Sequence, residues 1–344
     1  MEISEKKISD HSVIKLYNAA GMVLTLSSLG AAIREVRIPD KNGETKTVTL
    51  CPVDEEANRY GYYGKTIGRT AGRIAGARFT IDGKVAFLEK NNRGVDNLHG
   101  GSEGFHAKVF GYSLKEEAEF TDAVFTYFSK DDEGGYFGDA NVKITYRVYE
   151  NENKFVIYFG ADSDEKILMN MTNHVYWNMG GDLSESVKDQ ILYINADRYG
   201  KLNERLIVEK VLPVTKHMDF RKPHAVGDYI EEDDVQQYTA GYDHPYFFKS
   251  AGCDKTACTL YSEKSGIKLE MRTTYPAVVL YTNNYPDERL EVFPGKKSSR
   301  YLALCLECQY HPDGVHQCPE NCGILSPGKP YFEEVQYIFT VKQN

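Results

Sequence analysis

Apolar and polar residues alternate along much of the chain. Apolar side chains occupy every second position of segment 142–148 and again of segment 335–341. Successive side chains of a β-strand point to opposite faces, so this period of two predicts strands with one face in a core and the other in water. One-sided strands of this kind are typical of antiparallel sheets.

Turn-forming residues separate the predicted strands at short intervals. Segments 79–81 and 84–87 flank Asp82-Gly83, a dipeptide that can adopt the positive φ angles of a type I′ hairpin turn. Helical periodicity is confined to one short segment, 230–238. We therefore predict an all-β fold, a large antiparallel β-sandwich or barrel with few short helices. No linker or fixed-period repeat divides the chain, so we expect a single domain over residues 1–344.

Composition and charge exclude several classes of protein. The 344 residues include 50 acidic and 41 basic side chains, a net charge of −9, with no basic block. This excludes the electrostatic footprint of a nucleic-acid or membrane-surface binder. The longest apolar runs, 277–281 and 302–306, are far shorter than the ~18 residues of a membrane span. The first residues lack a secretory pattern and the seven cysteines are scattered, so we expect a cytoplasmic protein with reduced thiols.

Segment 302–309 carries the most informative local pattern. If it is a strand, its two faces differ: Leu302, Leu304, Leu306 and Cys308 lie on one, and Ala303, Cys305, Glu307 and Gln309 on the other. Small residues beside a Glu and a Gln leave room for a polar ligand above the sheet. The alternative is that Glu307 faces solvent on a one-sided sheet.

A second candidate segment, 170–178, combines amides, one imidazole and aromatic rings. Its polar and aromatic members are Asn170, Asn173, His174, Tyr176, Trp177 and Asn178. Amides and imidazole offer donors and acceptors to hydroxyl groups, and aromatic rings pack against the apolar face of a sugar. A lone His is more often a hydrogen-bonded core residue. Likewise, the glycines and arginines of segment 68–74 could be turn residues and surface charges.

These segments together resemble the aldose 1-epimerase (galactose mutarotase) family. The matching motifs run in order over nearly the whole chain: Gly68-Arg69-Thr70-Ala71-Gly72-Arg73-Ile74, Asn97-Leu98-His99-Gly100-Gly101 with Gly104-Phe105, Thr172-Asn173-His174-Val175-Tyr176-Trp177-Asn178, Asp219-Phe220-Arg221-Lys222-Pro223, Gly241-Tyr242-Asp243-His244, Tyr281-Thr282-Asn283-Asn284 and Leu306-Glu307-Cys308-Gln309. Any one of them is a weak signal, whereas seven in register are highly specific.

The resemblance implies a galactose-mutarotase-like β-supersandwich that interconverts the α and β anomers of free aldohexoses such as galactose and glucose, without cofactor or metal. Carried over by position, Glu307 is implied as the general base and His174 as the general acid. The implied substrate-binding residues are Arg73, His99, Asp243, Tyr176 and Trp177. Trp177 is the only tryptophan, so we expect galactose to change its fluorescence.

Elementary chemistry agrees with this pair of residues. Opening a pyranose ring needs one proton removed from the C1 hydroxyl and another delivered to the ring oxygen. Reference pKa values of about 4.3 and 6.5 leave Glu ionised and His readily protonated near neutral pH. We further expect an anionic Glu307 or Asp243 to favour the imidazolium form of His174.

Three positions depart from the family pattern. Gly72 stands where the family commonly has Asn, Trp177 where it has Phe, and Val279 where it often has a sugar-binding Gln. The first and last remove hydrogen-bonding groups, so the preferred aldose stays open, as does the choice between monomer and homodimer.

Other interpretations remain at this point. Cys305, Cys308, Cys318 and Cys322 have spacings that could complete a zinc site, although Cys305 and Cys308 would point to opposite faces of a strand. A related epimerase could act on hexose 6-phosphates or on the reducing end of an oligosaccharide, and the former would need a basic phosphate clamp. A non-catalytic sugar-binding relative would have replaced its acid or its base.

Overall fold

The computed structural model describes residues 1–342, and three antiparallel sheets dominate it. The first sheet has five strands, in spatial order Glu2–Ile8, His11–Tyr17, Val23–Ser27, Ala32–Pro39 and Thr45–Thr47. The second has nine, Gly111–Glu116, Phe120–Ser129, Ala140–Tyr149, Lys154–Asp162, Tyr331–Val341, Ile267–Thr273, Cys258–Tyr261, Ile191–Ile194 and His224–Ala225. The third has seven, Val208–Pro213, Ala196–Leu202, Asp243–Phe248, Ala277–Tyr281, Leu304–Gln309, Tyr176–Trp177 and Thr49–Leu50.

Short elements connect these sheets. The two-stranded ladders are Thr66–Ile67 with Thr172–Asn173, Arg73–Ile74 with Asn97–Leu98, Arg78–Ile81 with Lys84–Phe87, Ile167–Leu168 with Ile324–Leu325, and Glu291–Phe293 with Lys296–Lys297. The α-helices are Asp233–Gln236 and Gly314–Gln317, and the 3₁₀ turns are Glu56–Asn58, Ala75–Ala77, Phe105–Ala107, Val187–Asp189, Lys216–Met218, Val226–Asp228 and Pro319–Asn321. No helix in residues 1–342 combines the length and apolar character needed to cross a membrane.

The predicted all-β fold is confirmed, and so are the elements predicted from alternation. Segments 142–148 and 335–341 lie within strands Ala140–Tyr149 and Tyr331–Val341. Asp82 and Gly83 have φ values of 49° and 83° at the tip of the predicted hairpin. The helix predicted over 230–238 is only Asp233–Gln236 long, because Glu232 is extended (ψ 144°) and cannot extend it towards the N-terminus.

The nine-stranded and seven-stranded sheets pack face to face around the main core. The ring of Trp177, on the seven-stranded sheet, lies 5.3 Å from that of Tyr337 and 5.8 Å from that of Phe339, both on the nine-stranded sheet. Leu304 and Leu306 bury their side chains in the same core. Apolar burial between two sheets is what stabilises such a sandwich, and it leaves the opposite face of the seven-stranded sheet for a ligand.

Candidate active site

A cavity of about 360 Å³ lies on that opposite face of the seven-stranded sheet. Its size is at the lower end of the range for small-molecule sites. The side chains around it come from loops and strands across the chain: Tyr62, Tyr63, Gly72, Arg73, Leu98, His99, His174, Tyr176, Leu202, Leu206, Val208, Asp243, Pro245, Val279, Tyr281, Tyr285, Asp287, Glu307, Gln309 and Pro312, together with Gly61.

The register of three neighbouring strands positions the floor of the cavity. Asp243 pairs with Tyr281, which pairs with Cys305. Two residues further along the strands, Val279 pairs with Glu307. Because side chains at i and i+2 of a strand share a face, all of these side chains point to the cavity side of the sheet. The prediction that Glu307 lies on the polar face of this strand is confirmed, and its alternative of a solvent-exposed Glu307 is wrong, since Glu307 is 4% exposed.

Glu307 and His174 face each other at the base of the cavity. Oε1 of Glu307 lies 3.5 Å from Nε2 of His174, and His174 is only 5% exposed. The imidazole is stacked with two aromatic rings, those of Tyr62 and Tyr176, with ring centroids 5.9 Å and 5.0 Å away. Its other nitrogen, Nδ1, is 3.4 Å from Sγ of Cys305. These contacts fix the plane of the ring and direct Nε2 towards the carboxyl group.

Burial reverses the charges that reference pKa values suggest for this pair. Desolvation, reinforced by the nearby carboxylate of Asp243, raises the pKa of Glu307 to about 8. Desolvation lowers the pKa of His174 to about 4. Both shifts favour the state in which the exchangeable proton of the pair lies on Glu307 and His174 is neutral. The expectation that neighbouring carboxylates would favour an imidazolium is corrected, because the cost of burying charge is the larger effect.

Arg73 and Asp243 lie on the rim of this polar cluster. A terminal nitrogen of Arg73 is 3.7 Å from Oδ2 of Asp243, and Nε of Arg73 is buried without a protein partner. Burial raises the pKa of Asp243, an effect that Arg73 partly opposes. Arg73 can therefore donate hydrogen bonds to a polar ligand in the cavity, and the carboxylate of Asp243 can accept them.

His99 approaches His174 edge-on, with ring centroids 5.3 Å apart. Nδ1 of His99 accepts a hydrogen bond from the backbone N–H of Gly72 at 3.2 Å, and burial lowers the pKa of His99 well below its usual value. The neutral ring therefore carries its proton on Nε2, where it can serve as a donor.

Two clusters of side chains have the geometry to hold a metal ion. Within residues 1–342, ligand atoms of three or more such residues converge at two places, His99 with His174 and Glu307, and Asp10 with His11 and Glu56. Two His and one Glu are a known zinc ligand set. The second cluster already pairs Asp10 and Glu56 with Arg59.

The four cysteines considered as a zinc site do not converge. Cys305 contacts His174, whereas Cys308, on the opposite face of the same strand, lies in the main core. Sγ of Cys318 bonds to Glu320, and that of Cys322 to the carbonyl group of Pro319. Adjacent odd and even positions of a strand point to opposite faces, so the sequence argument against a zinc site at these cysteines is confirmed.

Comparison with known proteins decides the family. A profile of the family described as aldose 1-epimerase matches residues 12–338. The chain belongs to the aldose 1-epimerase family. It is 31% identical to the aldose 1-epimerase of Escherichia coli K12 over 339 residues, which cover 96% of this chain and 95% of the relative. It is 32% identical to the galactose mutarotase of Mus musculus over 319 residues, covering 91% and 90%.

Solved structures of the family have the same architecture. An aldose epimerase homologue from Caenorhabditis elegans superposes with a TM-score of 0.87 at 26% identity, covering 99% of this chain and 100% of the other. A galactose 1-epimerase from Lactobacillus acidophilus gives 0.85 at 25% identity, covering 99% of both. The predicted galactose-mutarotase-like supersandwich is therefore confirmed.

The structure places all but one of the site residues predicted from this family around the cavity. The exception is Trp177, which is 0% exposed and packs into the main core against Tyr337 and Phe339. Trp177 directly follows Tyr176 on a strand, so the two side chains point to opposite faces. Tyr176 lines the cavity, and the assignment of Trp177 to the sugar site is corrected.

Several lining residues escaped the sequence analysis. Tyr62 and Tyr63 precede the first motif and carry no pattern of their own. Leu202, Leu206 and Val208 belong to the hairpin Ala196–Leu202/Val208–Pro213 and form a small apolar cluster apart from the main core. The sequence pattern predicted the correct face of the strand for Gln309 but no role for it. The available signal was that Gln309 shares this face with Glu307.

Both positions that lack the family's polar side chains line the cavity. Val279 lies between Pro245 and Glu307 on adjacent strands. Gly72 has a φ of +72°, and a Cβ atom there would lie 3.3 Å from Cβ of Pro312 and 3.7 Å from Nε2 of Gln309. The two departures from the family pattern therefore leave two cavity-lining positions without a polar side-chain group.

Proposed function

We propose that this protein is an aldose 1-epimerase, an isomerase that interconverts the α and β anomers of free aldohexoses such as galactose and glucose. Membership of the family supports the reaction. The observation that carries the assignment of residues is the buried pair of Glu307 and His174, 3.5 Å apart in a cavity of small-molecule size. One acid and one base within reach of the same ligand are what pyranose ring opening requires.

In the proposed reaction, the pair carries one exchangeable proton, in addition to the proton that Nδ1 of His174 keeps. Glu307 is the base: its carboxylate removes the proton of the C1 hydroxyl. The C1–O5 bond breaks as C1=O forms, and Nε2 of His174 gives a proton to the ring oxygen. Rotation about C1–C2 presents the other face of the aldehyde, and the two groups exchange roles to close the ring.

This order of steps requires a proton to move from Glu307 to His174 when the sugar binds. Glu307 holds that proton in the free protein, because its pKa is raised to about 8. We propose that hydroxyl groups of the sugar and the guanidinium group of Arg73 stabilise the carboxylate and shift the proton to Nε2 of His174. Nδ1 of His174 keeps its own proton towards Sγ of Cys305, so only Nε2 exchanges protons.

The remaining polar groups are proposed to bind the sugar. Nε of Arg73 and Nε2–H of His99 are donors for hydroxyl or ring oxygens, and Asp243 is an acceptor for a hydroxyl group. The ring of Tyr176 packs against the C–H surface of the sugar. No metal takes part in this proposal; dialysis against EDTA followed by metal analysis tests that point, and activity that requires stoichiometric zinc at His99, His174 and Glu307 would contradict it.

Polarimetry on freshly dissolved α-galactose and α-glucose tests the function. The protein is expected to accelerate the approach of optical rotation to equilibrium in proportion to its concentration. Saturable galactose binding without acceleration would instead favour a non-catalytic sugar-binding protein. Arg73 is the one Lys or Arg among the described lining residues, and it is near Asp243, so we expect glucose 6-phosphate to react more slowly than glucose.

Organisation and location are part of the same proposal. The family match over residues 12–338 supports a single domain for residues 1–344. All seven cysteines lie in the described part of the chain and are unpaired, which fits a reduced, cytoplasmic setting. Light scattering on the purified protein distinguishes monomer from homodimer.

A further inference from the structure

One buried amide group lies at the otherwise apolar end of the cavity. Apart from the aromatic rings, the apolar lining consists mainly of Leu202, Leu206, Val208, Pro245, Val279 and Pro312, and these residues are called the apolar end. Gln309 is 1% exposed and lines the same cavity, and neither Oε1 nor Nε2 of its side chain has a hydrogen-bond partner in the protein. Buried amides are normally paired, so this group requires an explanation.

A second glutamine of the same chain shows what a structural role looks like. Gln190 is also fully buried. Its Nε2 donates to Oδ1 of Asn178 at 2.7 Å, and its Oε1 accepts from the backbone N–H of Met179 at 2.9 Å. Gln309 makes neither kind of bond, so its amide does not hold neighbouring segments together in this way.

The strand register directs the Gln309 amide towards the place where a sugar would lie. Gln309 is two residues after Glu307 on one strand, so both side chains project from the same face. The cross-strand partner of Gln309 is Ala277, which is small and leaves space above it. The bare Cα of Gly72 adds further room, since a Cβ atom there would be 3.7 Å from Nε2 of Gln309.

We propose that Gln309 is a substrate-binding residue whose amide binds one hydroxyl group of the sugar and determines which aldoses are accepted. This inference rests on the proposed mutarotase function. Positions 72 and 279 offer no side-chain polar group, so Gln309 is the side-chain amide that can form a hydrogen bond with this end of the ligand. The matching substrate is a free aldose that presents one hydroxyl group to Gln309 and C–H surface to Pro245, Val279 and Pro312.

A cycle of variants and deoxy sugars tests the proposal. The parent sugar is whichever of galactose and glucose turns over faster, and its analogues each lack one hydroxyl group, at C2, C3, C4 or C6. We expect Gln309→Met to lower kcat/KM on the parent about tenfold, mainly through KM, because one hydrogen bond is lost. The wild-type protein should lose a similar factor on one particular analogue, and Gln309→Met should show no further loss on that analogue.

The matched control is Gln336→Met on the distant nine-stranded sheet, where Nε2 of Gln336 bonds to Glu334. It should reproduce the wild-type pattern on every sugar. Near-UV circular dichroism checks folding, and if Gln309→Met does not fold, Gln309→Asn replaces it and should weaken the dependence on the same hydroxyl group. Wild-type kcat/KM in the Gln309 variant, or equal losses on all analogues, would overturn the inference. Absence of mutarotation in the wild-type protein would instead overturn the proposed function.

Discussion

The two ends of the cavity are built in different ways, although one sheet supports both. The acid–base end consists of Arg73, His99, His174, Asp243 and Glu307, which lie far apart in the sequence. The apolar end relies on the local hairpin that carries Leu202, Leu206 and Val208. We therefore expect the reaction rate to depend mainly on the buried acid–base pair, and the sugar preference to depend more on the apolar lining and on the amide of Gln309.

Polar contacts attach the hairpin Ala196–Leu202/Val208–Pro213, which forms one wall of the cavity, to the rest of the protein. Arg205, within the hairpin loop, pairs with the buried carboxylate of Asp96. Nε2 of Gln317 donates to the carbonyl group of Val208 at 2.7 Å. These contacts hold the hairpin in place, and none of Arg205, Asp96 and Gln317 lines the cavity.

The largest effect is expected at the acid–base end. Glu307→Gln keeps the shape of the side chain but removes the base, and we expect a loss of about 10²–10⁴ in kcat, the usual contribution of a general base. Polarimetry on fresh α-galactose measures it, with the exposed Glu209→Gln as the control that should retain full activity. Near-normal activity of Glu307→Gln would remove Glu307 from the mechanism.

A comparable loss is expected for His174→Asn, which removes the imidazole proposed to protonate the ring oxygen. His217→Asn is the matched control, because His217 is paired with Asp234 outside the cavity. If His174→Asn keeps an activity as high as that of His217→Asn in the polarimeter, another residue must protonate the ring oxygen.

The pH profile tests the electrostatics of the same end. The pair holds one exchangeable proton between about pH 4 and about pH 8. Below about pH 4 His174 also binds a proton at Nε2, and above about pH 8 the carboxyl group of Glu307 is ionised. Thus kcat/KM, which reports the free enzyme, should be level across this range and fall on both sides, with apparent pKa values that belong to the pair. An alkaline limb near 6.5 would instead indicate groups with reference pKa values.

A smaller change is expected from Val279→Gln at the apolar end. The new amide would lie between Pro245 and Glu307 and offer a hydrogen bond that the wild-type protein lacks. We expect the ratio of kcat/KM between galactose and glucose to change by less than about tenfold, while kcat on the better sugar stays within about threefold. Steady-state polarimetry on both sugars measures this. A collapse of kcat comparable to that of Glu307→Gln would contradict the separation of the two ends.

The smallest effect is expected in tryptophan fluorescence. Trp177 lies in the main core, on the side of the sheet away from the cavity. Saturating galactose should therefore leave its emission unchanged, and acrylamide should quench it poorly. A clear spectral change in an active enzyme would mean that sugar binding rearranges the core behind the site.

Much of the fold could be predicted because period-two alternation and turn residues are local signals. They indicated strand Ala140–Tyr149, the hairpin at Asp82-Gly83 and the polar face of strand Leu304–Gln309. The helix over 230–238 was overestimated because a short apolar pattern does not specify where a helix ends. The sheet order was not predictable, since pairing partners such as Lys154–Asp162 and Tyr331–Val341 are far apart in the chain.

The sequence by itself determined the family, the all-β class and the presence of a carboxylate and an imidazole in matching motifs. Only the tertiary structure decided that these groups face each other in a buried place, where desolvation raises the pKa of Glu307 and lowers that of His174. It also decided that Tyr176 lines the cavity while Trp177 lies behind it, and that Gly72 lies beside the amide of Gln309. The physical reason is that burial and cross-strand register depend on which distant segments pack together, and desolvation then sets the charge.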